Sequence, residues 1–214
     1  MKQVDKIKKL EGLSYFDRNA ISQYIEVKPN SFSQNINRWI NKGILIQLKK
    51  GFYVTSKYYE VNKNNKTYIE FIANRLRMPS YLSLEYVLQK YSMLSESVFA
   101  VTSITVKTGR TYRNDLGNFV YRNIKKDLFS GFDITEKDGF IIKEATKVKA
   151  LFDWLYLRLI RVQDINADFL RSFRLNLELL KKKDIEEFTD YCIKAGIRKY
   201  VVLADIVKKV WKEE

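Results

Sequence analysis

Histidine is absent from this chain of 214 residues. Its absence excludes Ser-His-Asp and Cys-His catalytic arrangements, histidine-ligated metals and the imidazole general base. The single cysteine, Cys192, excludes an internal disulfide and a cysteine-rich zinc site, and its helical surroundings predict a buried thiol. We expect no signal peptide, because the amino terminus reads as a charged helix, and the sequence shows no apolar run near the roughly 18 residues of a membrane-spanning helix. We therefore expect a cytoplasmic protein.

Motifs for metal-dependent nucleotidyl transfer are also missing. None of the eight glycines is followed by serine, and no Asp-x-Asp pair occurs to hold two metal ions. The one acid-x-lysine pattern of the kind that nucleases use, Glu26-Val27-Lys28, falls in a predicted turn. We predict that the chain is not an enzyme and that it has no catalytic residue, no metal and no cofactor.

Acidic residues are too few to balance the basic ones, and the formal net charge is +14. Residues 1–60 carry 11 basic and 5 acidic side chains, residues 61–150 carry 15 and 9, and residues 151–214 carry 13 and 11. The excess covers the first two thirds of the chain. It indicates a polyanionic partner, nucleic acid before an acidic membrane, with a general solubility charge as the alternative.

The stretch from Ser31 to Val54 predicts a helix followed by a hairpin. Its apolar residues follow the spacing i, i+4, i+7, i+8 of one helix face: Phe32, Ile36, Trp39 and Ile40. Asn30 or Ser31 is the predicted N-cap, and Gly43 ends the helix. Ile44–Leu48 and Phe52–Val54 then read as strands around the tip Lys49-Lys50-Gly51.

Two further helices are predicted upstream, over Gln3–Glu11 and Arg18–Ile25, the second capped by Asp17. Three helices and a hairpin with a basic tip are typical of a winged helix-turn-helix, which we assign to residues 1–56. In that module the second helix of the pair enters the major groove of DNA, and the hairpin is the wing.

The outward face of the predicted recognition helix carries amides, hydroxyls and one guanidinium, without an acid. Such groups pair with base edges, whereas carboxylates would be repelled by phosphates. We predict base contacts from Gln34, Asn35, Asn37 and Arg38, with Ser31 and Ser33 on the same surface, and phosphate contacts from Lys28, Lys42, Lys49 and Lys50. The alternative is the solvated face of an ordinary helix.

Residues 57–66 are polar and rich in asparagine, so we predict a linker there. Residues 67–214 predict an α+β domain with a small, mostly antiparallel sheet and C-terminal helices. Strands are expected over 97–106, 111–113, 119–124, 131–135 and 140–142. Helices are expected over 67–76, 84–91, 147–160, 169–180, 183–194 and 200–212, with Ser83 and Thr146 as caps of the second and third.

Five basic residues of the predicted sheet region have two interpretations. They extend the positive surface onto the second domain, or they are solvated charges at strand edges: Arg110, Arg113, Arg122, Lys125 and Lys126. The aromatic residues of this domain likewise either line a small-molecule pocket or form its core: Tyr81, Tyr86, Tyr91, Phe99, Tyr121, Phe129 and Phe132.

Five segments of this domain, in order, resemble one protein family. They are Pro79-Ser80-Tyr81-Leu82-Ser83-Leu84-Glu85, Val101-Thr102-Ser103-Ile104-Thr105, Gly117-Asn118-Phe119-Val120-Tyr121-Arg122-Asn123-Ile124-Lys125, Leu128-Phe129-Ser130-Gly131-Phe132, and Ala145-Thr146-Lys147-Val148-Lys149-Ala150-Leu151-Phe152-Asp153. Together they resemble the AbiEi antitoxins of type IV (abortive infection) toxin–antitoxin systems. The sequence departs from that pattern at Asn123, where the family usually has histidine, and after Lys147, where it lacks Pro-Glu.

The resemblance implies a transcriptional repressor of its own operon that binds inverted repeats in its promoter. It also implies a partner gene for a nucleotidyltransferase-like toxin, which the antitoxin counters without a stable complex. Because a palindromic operator offers two adjacent half-sites, cooperative self-association on DNA is a further expectation. Two alternatives stay open: a ligand-sensing winged-helix regulator unrelated to toxins, and a protein that binds RNA or the ribosome.

Overall fold

The computed structural model describes residues 7–24 and 29–213, and over these the fold is α+β. The amino-terminal part contains a 3-10 turn (Lys8–Leu10), then β1 (Phe16–Asp17), α1 (Arg18–Tyr24), α2 (Pro29–Asn41), β2 (Leu45–Lys49) and β3 (Phe52–Thr55). The three strands form one antiparallel sheet with β3 in the centre. Parts of three predicted features lie outside the described residues: the start of the helix Gln3–Glu11, the last residue of the helix Arg18–Ile25, and most of the turn Glu26–Pro29.

Local chemistry explains the limits of the two helices. The Asp17 carboxylate accepts a hydrogen bond from the Ala20 backbone N–H at 2.8 Å and caps α1 as predicted. Within the described residues, α2 runs from Pro29 to Asn41. The predicted caps Asn30 and Ser31 are therefore wrong, since both residues lie inside the helix. Gly43, with φ +65°, reverses the chain after α2.

The rest of the chain forms a larger unit around a six-stranded sheet. Its helices are α3 (Ser56–Asn62), α4 (Lys66–Leu76), α5 (Glu85–Lys90), α6 (Lys147–Arg158), α7 (Ala167–Arg171), α8 (Lys182–Lys194) and α9 (Arg198–Glu213). Its strands are β4 (Ser80–Leu82), β5 (Ala100–Thr105), β6 (Arg110–Asn114), β7 (Gly117–Asn123), β8 (Phe132–Lys137) and β9 (Phe140–Ala145).

The strand order in this sheet is β6-β7-β5-β4-β9-β8. Three neighbouring pairs are antiparallel, and two pairs, β5 with β7 and β4 with β9, are parallel. The sheet is thus mostly antiparallel, as predicted. The Tyr121 hydroxyl donates to the Ala73 carbonyl of α4, while the Tyr81 hydroxyl donates to Asp153 of α6. Because the register places these two tyrosines on opposite faces, α4 and α6 cover opposite sides of the sheet.

Two predictions for this unit need correction, and one strand is absent from the predictions. Strand β4 was not predicted. Ser83 does not cap the following helix, because Leu84 holds the N-cap position and the Ser83 hydroxyl is bonded to Asp153. The helix expected over 169–180 ends at Arg171, and a separate 3-10 turn covers Leu177–Leu179.

The predicted linker, residues 57–66, contains most of helix α3. The Thr55 hydroxyl accepts a hydrogen bond from the Tyr58 backbone N–H and caps this helix. The Tyr59 hydroxyl donates to the carbonyl of Asp115 at 3.1 Å, so the segment contacts the larger unit. The division of the chain into domains at this point stays a prediction.

Two apolar cores meet at strand β3. The first core contains Ile7, Leu10, Phe16, Ile21, Phe32, Ile36, Trp39, Leu45 and Tyr53. The second core fills the larger unit and also includes Leu48, Phe52 and Val54. Because neighbouring side chains of a strand point to opposite faces, Tyr53 packs in the first core while Phe52 and Val54 pack in the second.

A buried ion pair lies in the second core. Lys149 and Asp153, one turn apart on α6, are both fully buried and in contact with each other. The Asp153 carboxylate also accepts hydrogen bonds from the hydroxyls of Tyr81 (2.9 Å) and Ser83 (2.8 Å). Burial raises the pKa of Asp153 and lowers the pKa of Lys149. The cluster ties α6 to β4.

In the part of the chain that the structure describes, the helices are all too short or too polar to cross a membrane.

Candidate nucleic-acid interface

Helix α2 buries one face and exposes the other. Phe32, Ile36 and Trp39 are at most 9% exposed and pack in the first core. Ser33, Gln34, Asn37 and Arg38 are exposed, and Ser31 and Asn35 are half-buried. The predicted apolar stripe therefore faces inward, and the six predicted polar residues lie together on or beside the outer face.

Arg18, which is not among the predicted DNA contacts, adds a positive charge to this surface. Its guanidinium donates to the Ser33 hydroxyl at 2.8 Å and lies 5.3 Å from the centre of the Phe32 ring. The contact joins the start of α1 to the first half of α2. The sequence shows only that Arg18 follows the helix cap Asp17. That position gives no indication of a contact with Ser33, which is 15 residues away.

Three of the four lysines predicted for phosphate contact lie within the described residues. Lys42 is exposed directly after α2, and Lys50 is exposed in the turn of the β2–β3 hairpin, next to Gly51 with φ +79°. Lys28 lies outside the described residues. The third, Lys49, has a different environment.

Lys49 is directed at the larger unit. Its ammonium donates to the carbonyl oxygen of Leu76, at the end of α4, at 2.5 Å. It also lies 5.1 Å from the ring centre of Phe52 and 5.8 Å from that of Tyr112 on β6. Burial lowers the pKa of Lys49, and the cations of Arg77 and Lys107 act in the same direction, against an opposite effect of Tyr112. An ammonium held in this way is a poor phosphate ligand.

Further contacts fix the hairpin to the larger unit. The Asn114 side-chain amide donates to the carbonyl of Leu48 at 2.8 Å. The ring of Tyr15 stacks on Phe52, with centroids 4.4 Å apart, and contacts Phe71 of α4 at 5.9 Å. The hairpin is therefore packed along its length, and Lys50 is the lysine at its tip that faces solvent.

The five basic residues predicted around the sheet are all exposed. Within residues 7–24 and 29–213, none of their side chains has a hydrogen-bond or ion-pair partner: Arg110, Arg113, Arg122, Lys125 and Lys126. They are distributed over β6, β7 and the turn that follows β7. Both interpretations given for them, an extended binding surface and solvated charges, are compatible with this placement.

Comparison with protein-family models finds no match for the chain, and comparison with curated proteins finds none either.

Proposed function

We propose that the chain is a DNA-binding transcriptional repressor whose amino-terminal part is a winged helix-turn-helix. The observation that supports this most is the outer face of α2, which is free of acids. There Gln34, Asn37 and Arg38 are exposed while Phe32, Ile36 and Trp39 anchor the helix from behind. The order of strand, two helices and hairpin around a three-stranded sheet supports it further.

The chemistry of this face suits the major groove. Asn and Gln amides donate and accept together and pair with adenine, while an Arg guanidinium forms two hydrogen bonds with guanine. Lys42 and Lys50 supply flanking positive charge for phosphates, and Arg18 adds more beside Ser33. In this proposal Lys49 docks the hairpin on the larger unit and is not a phosphate contact, which differs from the role predicted for it.

The test measures binding of the full chain to the DNA directly upstream of its own gene, by fluorescence anisotropy, beside a scrambled duplex of equal composition. We expect Arg38→Ala to weaken binding to the upstream duplex by about 1–3 kcal/mol and to change binding to the scrambled duplex little. Arg161→Ala, which removes an exposed arginine after α6, is the matched control. Equal affinity of the unsubstituted chain for both duplexes would contradict sequence-specific repression.

The antitoxin role is the second part of this proposal, and it depends on the resemblance of residues 79–157 to the AbiEi family. We expect the chain to restore growth when it is co-expressed with a nucleotidyltransferase encoded beside its gene. We also expect the two proteins not to purify as a complex. If growth is not restored although the chain is soluble and binds DNA, the antitoxin role is wrong and the repressor role stands.

A ligand-sensing regulator is the competing function, and one cavity favours it. A cavity of about 570 Å³ lies between β5, β7 and the end of α6, and its lining includes Phe99, Arg122, Trp154 and Arg158. The Phe99 side chain is 90% exposed, and the Arg158 guanidinium lies 4.1 Å from the Trp154 ring centre. Mass spectrometry of the chain purified under native conditions is the test, and a co-purified small molecule would favour this alternative.

A further inference from the structure

Four basic residues from both parts of the molecule gather at the tip of the β2–β3 hairpin. Lys49 and Lys50 belong to the hairpin, and the Lys49 ammonium is bonded to the Leu76 carbonyl. The next residue, Arg77, donates from its guanidinium to the carbonyl (2.6 Å) and the hydroxyl (2.9 Å) of Thr108. Lys107 directly precedes Thr108. A chain of direct contacts thus runs from the hairpin to the loop between β5 and β6.

We define this junction by Lys49, Lys50, Arg77 and Lys107. Among the described residues, no carboxylate forms an ion pair with any of the four. Lys49 is close enough to Arg77 and Lys107 for their charges to lower its pKa beyond the effect of burial. Like charges that lie close together repel one another and destabilise the folded chain. A polyanion bound here would reduce this repulsion.

Lys107 is held in position for such a contact. Its backbone N–H donates to the Thr105 hydroxyl at 3.2 Å, and its carbonyl accepts from the Asn123 side-chain amide at 3.1 Å. Its side chain is exposed, like that of Lys50 across the junction. Arg77 is half-buried and bonded to Thr108, so it contributes fixed positive charge and not a mobile contact.

We propose that a strand of duplex DNA passes over this junction, so that its phosphates contact Lys50 from the hairpin and Lys107 from the larger unit. The proposal rests on the proposed DNA-binding function and deepens it, because it assigns a phosphate contact to the second unit. Lys107 was not among the residues that the sequence indicated. Since the hairpin is packed against β6 and α4, DNA that reaches the tip of the hairpin also meets this loop.

The test compares Lys107→Gln with Lys137→Gln in the full chain. Lys137 is an exposed lysine on β8, at the opposite edge of the sheet from β6, and is the matched control. The affinity for the upstream duplex is measured between about 50 and 200 mM salt. We expect the slope of log K against log salt to become shallower by about 0.9 for Lys107→Gln and to stay unchanged for Lys137→Gln. Lys107→Arg, which keeps the charge, should restore the slope.

A second measurement separates a phosphate contact from a structural role. If Lys107 contributes only repulsion to the free protein, Lys107→Gln should leave the melting temperature unchanged or raise it by about 1 °C. A clear fall would show a structural role and overturn the proposal. An unchanged salt slope, in a chain that binds the upstream duplex, would overturn it and leave the repressor function intact. Absence of any duplex binding at low salt by the unsubstituted chain would overturn both.

Discussion

The two cores of this molecule are built on different principles. Among the described residues, the first core is built from apolar and aromatic side chains, and helix α2 contributes Phe32, Ile36 and Trp39 at the spacing i, i+4, i+7. The second core encloses an ion pair, Lys149 with Asp153, and two hydroxyls that bond to the carboxylate. An apolar core tolerates many arrangements of similar side chains, whereas a buried charge accepts only the arrangement that supplies its partners. We therefore expect the second unit to be the more strictly specified of the two.

The largest effect is expected from breaking the ion pair. Asp153→Ala leaves the Lys149 ammonium buried without a partner and removes the acceptor of Tyr81 and Ser83, so we expect a loss of about 3–5 kcal/mol in the free energy of unfolding. Urea denaturation followed by circular dichroism measures it.

A double substitution sharpens the comparison. Replacing both partners, Lys149→Met with Asp153→Leu, should restore part of that loss, because no unpaired charge then remains. The hydroxyls of Tyr81 and Ser83 still lack their acceptor, so the double variant should stay less stable than the unsubstituted chain. Asp164→Ala, at an exposed acid after α6, should change stability by less than about 0.5 kcal/mol. A mild effect of Asp153→Ala would mean that the second core is no more strictly specified than the first.

Trp39→Ala tests the first core. Trp39 is 3% exposed, so its removal should lower the free energy of unfolding by about 3–5 kcal/mol. The loss should lie at the lower end of that range if neighbouring side chains move to fill the cavity. If Trp39→Ala keeps its fold and its stability but loses affinity for DNA, the two faces of α2 have been assigned the wrong way round.

Cys192 reports whether the two cores unfold together. Burial raises the pKa of its thiol to about 12, so the native thiol should react very slowly with a disulfide reagent at pH 8. If strand β3 couples the cores, Trp39→Ala should speed that reaction. An unchanged rate would show that the second core survives without the first.

The smallest expected effects are those of Lys49→Ala and Lys50→Ala, which should differ in stability and in the salt dependence of DNA binding. Lys49→Ala removes a charged hydrogen bond to Leu76 and should lower stability by about 1–3 kcal/mol with little change in the salt slope of DNA binding. Lys50→Ala should leave stability nearly unchanged and make the slope shallower by about 0.9. The reverse pattern would return Lys49 to the phosphate contacts that the sequence suggested.

Much of the fold follows from local patterns in the sequence. The stripe of α2, the cap Asp17, the cap Thr146 of α6 and the reversal at Gly43 are all present where the residues predict them. Each of these features depends on side chains within a few positions of one another, which is the range over which periodicity and capping act.

The features that the sequence did not predict depend on distant partners. Strand β4 has three residues and is recognisable only by its pairing with β5 and β9. Serine before a helical pattern predicts a cap at Ser83. In the structure its hydroxyl instead donates to the carboxylate of Asp153, which is 70 positions away in the sequence. At the candidate interface, the polar face of α2 was predictable, but Lys49 resembled a wing tip because no local signal shows that Leu76 and Tyr112 lie next to it.

The position of strand β3 between the two cores has a practical consequence for testing the proposed functions on fragments of the chain. A fragment that ends at residue 56 would expose Leu48, Phe52 and Val54 to water. The fragment that begins at residue 57 would lack these three side chains in its core. Both pieces would tend to aggregate, and failure of either would say little about function. Single substitutions in the intact chain, and not truncations, are the sound way to test the proposed promoter recognition and the proposed toxin control separately.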